Sequence, residues 1–242
     1  MNSRISVIIP TLNEADEIGS VLTAVRSLGD NVEIIVVDGG SFDTTVTIAR
    51  ESGVEVISTL PSRGGQMHAA AMRASGGILW FLHADSIPPL DSLAHINKCL
   101  IDPEVVGGNF SLRFDGTGRP AKFMTRFYPL LRKIGLMYGD SGIFVRRAAY
   151  NLVGGFKPLP LFEDVDLIRR LRKEGALVSL DAEIVTSSRR FDGRPFLPVF
   201  IRWVLFQCLY WIGVSPHWLA KTYYPVRKEK HHDVSGTAAK PS

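Results

Sequence analysis

Three short apolar runs near the start of the chain each end abruptly in polar residues. Ile5, Val7, Ile8 and Ile9 lead into Pro10-Thr11-Leu12-Asn13-Glu14. Residues 32–37 lead into Asp38-Gly39-Gly40-Ser41-Phe42-Asp43, and Ile78 to Leu82 lead into His83-Ala84-Asp85. Runs this short and apolar read as buried strands. Between them the spacing becomes helical. Ile18, Val21, Leu22, Val25 and Leu28 share one face after Glu14, with Thr11 or Asn13 as the candidate cap. Thr44 to Ser52 reads as a second helix closed by Gly53, and Val54 to Ser58 as a further strand. The Ala-rich stretch Gly64 to Ser75 reads as a third helix, ended by Gly76-Gly77. The order βαβαβαβ predicts an α/β fold with a mostly parallel central sheet and helices on both faces. Such sheets bind ligands just beyond the carboxyl ends of their strands, where all three polar groups fall.

Carboxylates gathered at one sheet edge repel one another unless a cation lies between them. A further acidic group, Phe162-Glu163-Asp164-Val165-Asp166, lies far downstream. Together they point to a metal-bound phosphate compound as ligand, with one acid left for proton transfer. The formal charge of +4 agrees, because Lys and Arg weight the second half while the first half holds the acidic clusters. That asymmetry favours an anionic partner, either phosphates or an anionic membrane face. Nucleic acid is not expected, since no nucleic-acid motif is present and the cations are interleaved with long apolar stretches.

The 242 residues, 45% hydrophobic and 21% charged, suit one large globular domain with a real core. Cys99 and Cys208 lie too far apart to suggest a disulfide framework or a metal motif, so a reducing cytoplasm is the default. The N-terminus enters a strand-like run with no apolar stretch of signal-peptide length. Downstream, Val105 to Phe114 alternates like a mixed-sheet strand. Arg119 to Gly135 reads as a basic amphipathic helix broken at Pro129, and Ile143 to Arg146 as a strand. Glu163 to Glu174 reads as a helix with Val165, Leu167, Ile168 and Leu171 inward. Phe196 to Val214 is apolar and aromatic. From residue 227 the polar tail is expected to be disordered, with His231-His232 solvated.

Each motif admits two readings. Asp38 follows a strand directly and can accept hydrogen bonds from a base or ribose, or it can form an Asx-turn capping the next helix. Arg63-Gly64-Gly65-Gln66 opens a helix, where glycines and backbone N–H groups can hold an anion. His83 and Asp85 alternate along an extended segment and can face one ligand, with Asp85 as the metal ligand, or Asp85 can be a loop carboxylate. Glu163 and Asp164 can be acids favoured by a helix dipole. Asp164 can instead be a general base for a weakly acidic hydroxyl. Asp140, in Gly139-Asp140-Ser141-Gly142, can line an acceptor pocket or belong to an ordinary turn.

The set Pro10-Thr11-Leu12-Asn13-Glu14, Asp38-Gly39-Gly40-Ser41-x-Asp43, Ala84-Asp85 and Glu163-Asp164 resembles family 2 glycosyltransferases over roughly residues 4–180. The resemblance implies a GT-A fold, a nucleotide-diphosphate sugar as donor (a UDP-sugar first), Mg²⁺ or Mn²⁺, and a hydroxyl acceptor. Carried over by motif, Thr11, Glu14 and Asp38 would contact the nucleoside and Asp85 the metal. Pro10, Asn13, Gly40, Arg63, Gly64, Gln66, His83, Ala84 and Asp140 complete the expected substrate-binding set on the readings of their own segments. Asp164, beside Glu163, becomes the base of an inverting displacement by a hexosyltransferase. One departure is His83, which stands where the family's Asp-x-Asp motif has its first Asp. The chain then divides into a donor half about 1–100, an acceptor half about 101–190 and an apolar helical segment about 195–225, within one domain 1–226.

The sequence bears on two other functions. A sugar-phosphate nucleotidyltransferase needs a Gly-rich basic loop after the first strand, and Thr11-Leu12-Asn13-Glu14 has neither glycine nor cation. A non-catalytic nucleotide-sugar binder or membrane scaffold is suggested by His83. In 196–214, Arg202, Gln207 and Pro198 argue against a transmembrane span. With 119–135 the segment can lie in a membrane interface, on the inner face of the plasma membrane, and offer a lipid-linked acceptor. It can equally cover the sheet or form a homodimer.

Overall fold

A computed structural model describes residues 3–133, 135–189 and 195–223. The expected tail, His231-His232, and Arg190 and Arg194 of the basic half lie outside these. The chain runs β1 (Ile5–Thr11), α1 (Ala15–Arg26), β2 (Val32–Asp38), α2 (Thr45–Glu51), β3 (Glu55–Ser58), α3 (Arg63–Arg73), β4 (Ile78–Phe81) and β5 (Ser86–Ile87). There follow α4 (Ser92–Cys99), β6 (Val105–Phe114), α5 (Arg119–Lys133), a 3-10 turn (Gly139–Ser141), β7 (Phe144–Arg146), α6 (Arg147–Leu152) and α7 (Glu163–Leu171). The described chain closes with β8 (Ala176–Thr186), α8 (Phe196–Trp211) and α9 (Pro216–Tyr223). One sheet orders the strands β3-β2-β1-β4-β7-β6-β8-β5.

The first four strands in that order are parallel. The other half is mixed: β7 runs antiparallel to β4 and β6, β6 runs parallel to β8, and β5 closes the edge antiparallel to β8. Side chains alternate across the sheet. Val7 and Ile9 of β1 join a core built with α1, α2, α4 and α5. Ile8 joins a second core with α3, α6 and α7. Burial on both faces explains why β1, β2 and β4 read as continuous apolar runs.

Two local expectations need correction. Neither Thr11 nor Asn13 caps α1. Its first N–H groups bond across to the next loop, Glu14 N–H to Thr45 Oγ1 at 2.8 Å and Ala15 N–H to Asp43 Oδ2 at 3.2 Å. α5 is not broken at Pro129, which lies within it. The helix buries Ala121, Met124, Tyr128 and Leu131 on one side and lays Phe123 and Phe127 against α8 on the other. Packing on both sides outweighs the helical hydrogen bond that proline cannot make. Pro10 in β1 is tolerated because the pairing with β4 stops at Ile8↔Phe81.

Candidate active site at the carboxyl edge of the sheet

The ends of β1 and β2 are knitted into one loop pair. Asp38 is buried and its carboxylate organises its own loop. Oδ2 accepts from Gly40 N–H and Ser41 N–H, both at 2.8 Å, and Oδ1 accepts from Ser41 Oγ at 2.5 Å and Thr11 Oγ1 at 3.1 Å. This is the Asx-turn arrangement, and a nucleoside would reach Asp38 only by displacing one of these bonds. Asn13 adopts a left-handed backbone, φ 57°, and its Oδ1 accepts from Phe42 N–H at 3.0 Å. Gln66 lies beneath the loops. Its buried amide donates to Thr11 O at 3.0 Å and Val37 O at 2.9 Å, fixing the two strand ends to each other. The structure thus gives Gln66 a positioning place, below the surface a ligand would touch.

At the end of β4, Ala84 is buried and the half-buried Asp85 follows it. Asp85 Oδ2 lies 3.7 Å from Arg189 Nη2, and the same guanidinium is paired with Glu14. Arg189 therefore sits between carboxylates supplied by β1 and β4. Loss of water pushes the Glu14 carboxyl up, against the pull of Arg189. Arg189 was not among the expected site residues, because 175 positions separate it from Glu14.

The downstream acids arrive beside the same edge. Arg63 Nε is 3.2 Å from Glu163 Oε1, and Arg63 Nη1 is 3.4 Å from His83 Nε2. The approach needs glycine at 64, where a Cβ would stand 2.3 Å from Lys157 O and 3.2 Å from Glu163 Cβ. Phe162, just before the acids, holds a left-handed backbone at φ 62° and stacks on Tyr210 of α8 at 4.6 Å between ring centres. Asp164 Oδ2 accepts from Gly139 N–H at 2.6 Å, and Oδ1 from Val165 N–H at 2.8 Å. A Cβ on Gly139 would lie 3.3 Å from His83 Nε2 and 3.4 Å from Asp164 Oδ2, so His83 and Asp164 meet across this residue. Loss of water, then the neighbouring Glu163 charge, push the Asp164 carboxyl up to about 6.

Asp140 belongs to the 3-10 turn and is buried, accepting from Tyr128 Oη at 2.6 Å. Gly142 ends the turn at φ 65°, where a Cβ would strike Ile184 Cδ1 at 2.4 Å. Asp140 thus sits in a turn with its buried carboxylate bonded to Tyr128. Glu14, Asp85 and Arg189 form one polar cluster and His83, Arg63, Glu163 and Asp164 a second, the two joined along the chain by His83-Ala84-Asp85, with Thr11, Asn13, Asp38 and Gly40 in the adjoining loops.

A mixed α/β sheet flanked by helices, with carboxylates at the ends of its strands, defines the structural class, and comparison with known proteins narrows it. The model of glycosyl transferase family 2 matches residues 6–152, more than half of the chain. The chain belongs to glycosyl transferase family 2. It is 30% identical over 156 residues to an undecaprenyl-phosphate 4-deoxy-4-formamido-L-arabinose transferase of Salmonella paratyphi B, a match covering 59% of this chain and 48% of that protein. The chain thus spans about half the length of the curated relatives it matches. Among solved structures, glucosyl-3-phosphoglycerate synthase of Mycobacterium tuberculosis, in complex with Mn²⁺ and UDP-glucose, is 25% identical with a TM-score of 0.59. That match covers 85% of this chain and 79% of the other. A Pyrobaculum calidifontis mannosyltransferase, 23% identical with a TM-score of 0.62 over 76% of this chain and 57% of its own, shares the fold. The fold is of the GT-A type.

Proposed function

We propose that the protein transfers a sugar from a metal-bound nucleotide-diphosphate sugar, a UDP-sugar first, to a hydroxyl acceptor with inversion at the anomeric carbon. The observation that carries this reading is the placement of Asp164. It is held by Gly139 N–H, next to His83 and on the same edge as Asp85. The bond from the anomeric carbon to the departing diphosphate breaks, and a bond to the acceptor oxygen forms. The hydroxyl proton passes to Asp164. A carboxyl pushed up to about 6 is ionised at neutral pH, yet it is a stronger base than an ordinary aspartate. Glu163, paired with Arg63, sustains that shift and orients the first turn of α7.

On the donor side, Pro10, Thr11, Asn13, Glu14, Asp38 and Gly40 are read as the nucleoside wall. Arg63, Gly64, His83 and Ala84 are read as the diphosphate side, with Gln66 as their support. Asp140 underlies the acceptor side. Asp85 fits a divalent cation: it offers hard oxygen donors, and a guanidinium already faces its Oδ2. Among the described residues, no three His, Cys, Asp or Glu side chains form a cage. One carboxylate with the donor's own phosphates is enough for such an ion. Bound there, Mg²⁺ or Mn²⁺ would neutralise the departing diphosphate. The finding that a relative of the same fold binds Mn²⁺ with UDP-glucose supports this assignment. Residues 1–226 are read as one domain, donor half first, working in a reducing compartment where the free thiols Cys99 and Cys208 persist.

The test is thermal-shift binding of UDP-, GDP- and dTDP-sugars with Mn²⁺, Mg²⁺ or chelator. One donor should raise the melting temperature only with metal, and Asp85→Ala should abolish that rise. Donor binding that ignores both chelator and Asp85→Ala would remove Asp85 as the metal ligand. Turnover that survives Asp164→Asn would remove the base.

A further inference from the structure

α8 has two working faces. Inward, Phe196, Phe200 and Trp203 pack on Phe123 and Phe127 of α5 and on Tyr138. Outward, Leu197, Ile201, Leu205, Trp211 and Ile212 are each more than half exposed, as is Trp218 on α9. Positions 197, 201, 205 and 212 follow helical spacing, so these side chains form one bare stripe. Alongside runs the outer row of α5, with Arg119, Lys122, Arg126 and Lys133 exposed among Phe123 and Leu130. α5, α8 and α9 contain no Asp or Glu.

The chemistry of this face selects its occupant. α8 has 16 residues, about 24 Å of helix against a hydrocarbon core of about 30 Å, and no helix of the described residues is long and apolar enough to cross a membrane. A second copy meeting this face about a two-fold axis would set cation rows of α5 against each other. A surface that is apolar beneath and negative above suits both parts at once.

The inner face of α8 ties this surface to the candidate base. Tyr210 stacks on Phe162, the residue before Glu163-Asp164. Tyr138 Oη donates to Gln207 Oε1 at 3.2 Å, and Tyr138 precedes Gly139, whose N–H holds Asp164. Between α7 and the α8–α9 corner lies a cleft of about 360 Å³. Its wall includes Met137, Val165, Ile168 and Trp211 together with Arg169 and Arg172. A slot of mixed lining, beginning one residue from Asp164 and carrying Arg169, which also pairs with Asp166, and Arg172, which also donates to Gly135 O, suits the anionic head and first chain segment of an amphiphile.

We propose that α5, α8 and α9 dock on an anionic bilayer and that the acceptor is a membrane amphiphile presented to Asp164 at that surface. The docking stands on the exposed face alone, while the acceptor assignment rests on the sugar-transfer reading. The test is co-sedimentation of the full chain with vesicles of phosphatidylcholine alone or with about one third phosphatidylglycerol. Binding to the mixed vesicles only, weakened by salt, is expected. Leu205→Glu or Ile201→Glu should lower it by about ten-fold or more, and Lys122→Glu with Arg126→Glu similarly. Far-UV circular dichroism and the melting temperature serve as the control for folding in every variant, and metal-dependent donor binding is measured beside them. Protein that stays in the supernatant, or variants that bind unchanged, would overturn the docking. So would a dimer in light scattering that Leu205→Glu dissociates in the absence of vesicle binding. If vesicle binding fails while donor binding persists, this inference alone falls. If vesicles bind and no donor does, docking stands and the sugar-transfer reading falls.

Discussion

Asp164 meets two opposed demands, because the burial that strengthens it as a base also costs stability. Its carboxyl lies near 6 in the folded chain against an ordinary value of 3.8. The folded state therefore holds that proton more tightly than the unfolded state does. The cost is absent below about pH 4, grows as pH rises toward 6, and is complete above it. Asp164→Asn should remove a penalty on the order of 2 kcal/mol, visible as a higher melting temperature at pH 8 and no gain at pH 4. The same variant should lose about 10²–10⁴ in turnover while still binding donor, and wild-type kcat/KM should fall about ten-fold per unit below pH 6. Arg189 supplies a second residue-scale expectation. It is paired with Glu14 and lies 3.7 Å from Asp85 Oδ2, and so competes with a cation for the same oxygens. The pair is partly exposed and therefore screened. Arg189→Ala should raise the affinity for Mn²⁺ alone by only about two- to five-fold. Titration calorimetry without nucleotide reads this directly, and a weaker Mn²⁺ affinity would give Arg189 a different role.

At the scale of elements, the site depends on α3 lying close to the segment before α7. Gly64→Ala must push Lys157 O or the start of α3 aside, at a cost of about 1–3 kcal/mol, and should part Arg63 from Glu163. Chemical denaturation checks the first effect. A fall of the Asp164 pKa in the pH profile is not expected, since the lost guanidinium had been lowering it. Much of this architecture was legible in the amino-acid order. β1, β2 and β4 are buried on both faces, which leaves uninterrupted apolar runs, and the polar groups at their ends stand where ligands bind. β8 was missed because it lies near the sheet edge, half-exposed, with Asp181 and Glu183 interleaved among Leu180, Ala182 and Ile184. α4 and α6, of 8 and 6 residues, are too short to show a period. The caps of α1 come from the next loop, and the Arg189 bridge joins chain ends far apart in sequence. Neither leaves a local signature, nor does the buried link that Gln66 makes between the two strand ends.

For the molecule as a whole, the parallel half and the α8 region should differ in how easily they open. Amide exchange should be slowest in β1, β2 and β4, whose side chains are sealed between two helical layers. It should be faster along α8, covered on one side only, and should slow there when anionic vesicles are added. Equal protection in the two regions would contradict this picture. The alternation of β1 between two separate cores has a further consequence, for tolerance of insertions and deletions. A one-residue slip would send Ile8 into the core of Val7 and Ile9 and the reverse, so both layers would be mispacked at once. Frame errors inside these strands have no half-measure. Length variation in a lineage of such chains should instead collect where neither core can feel it, as in the exposed turn Gly29-Asp30-Asn31 between α1 and β2.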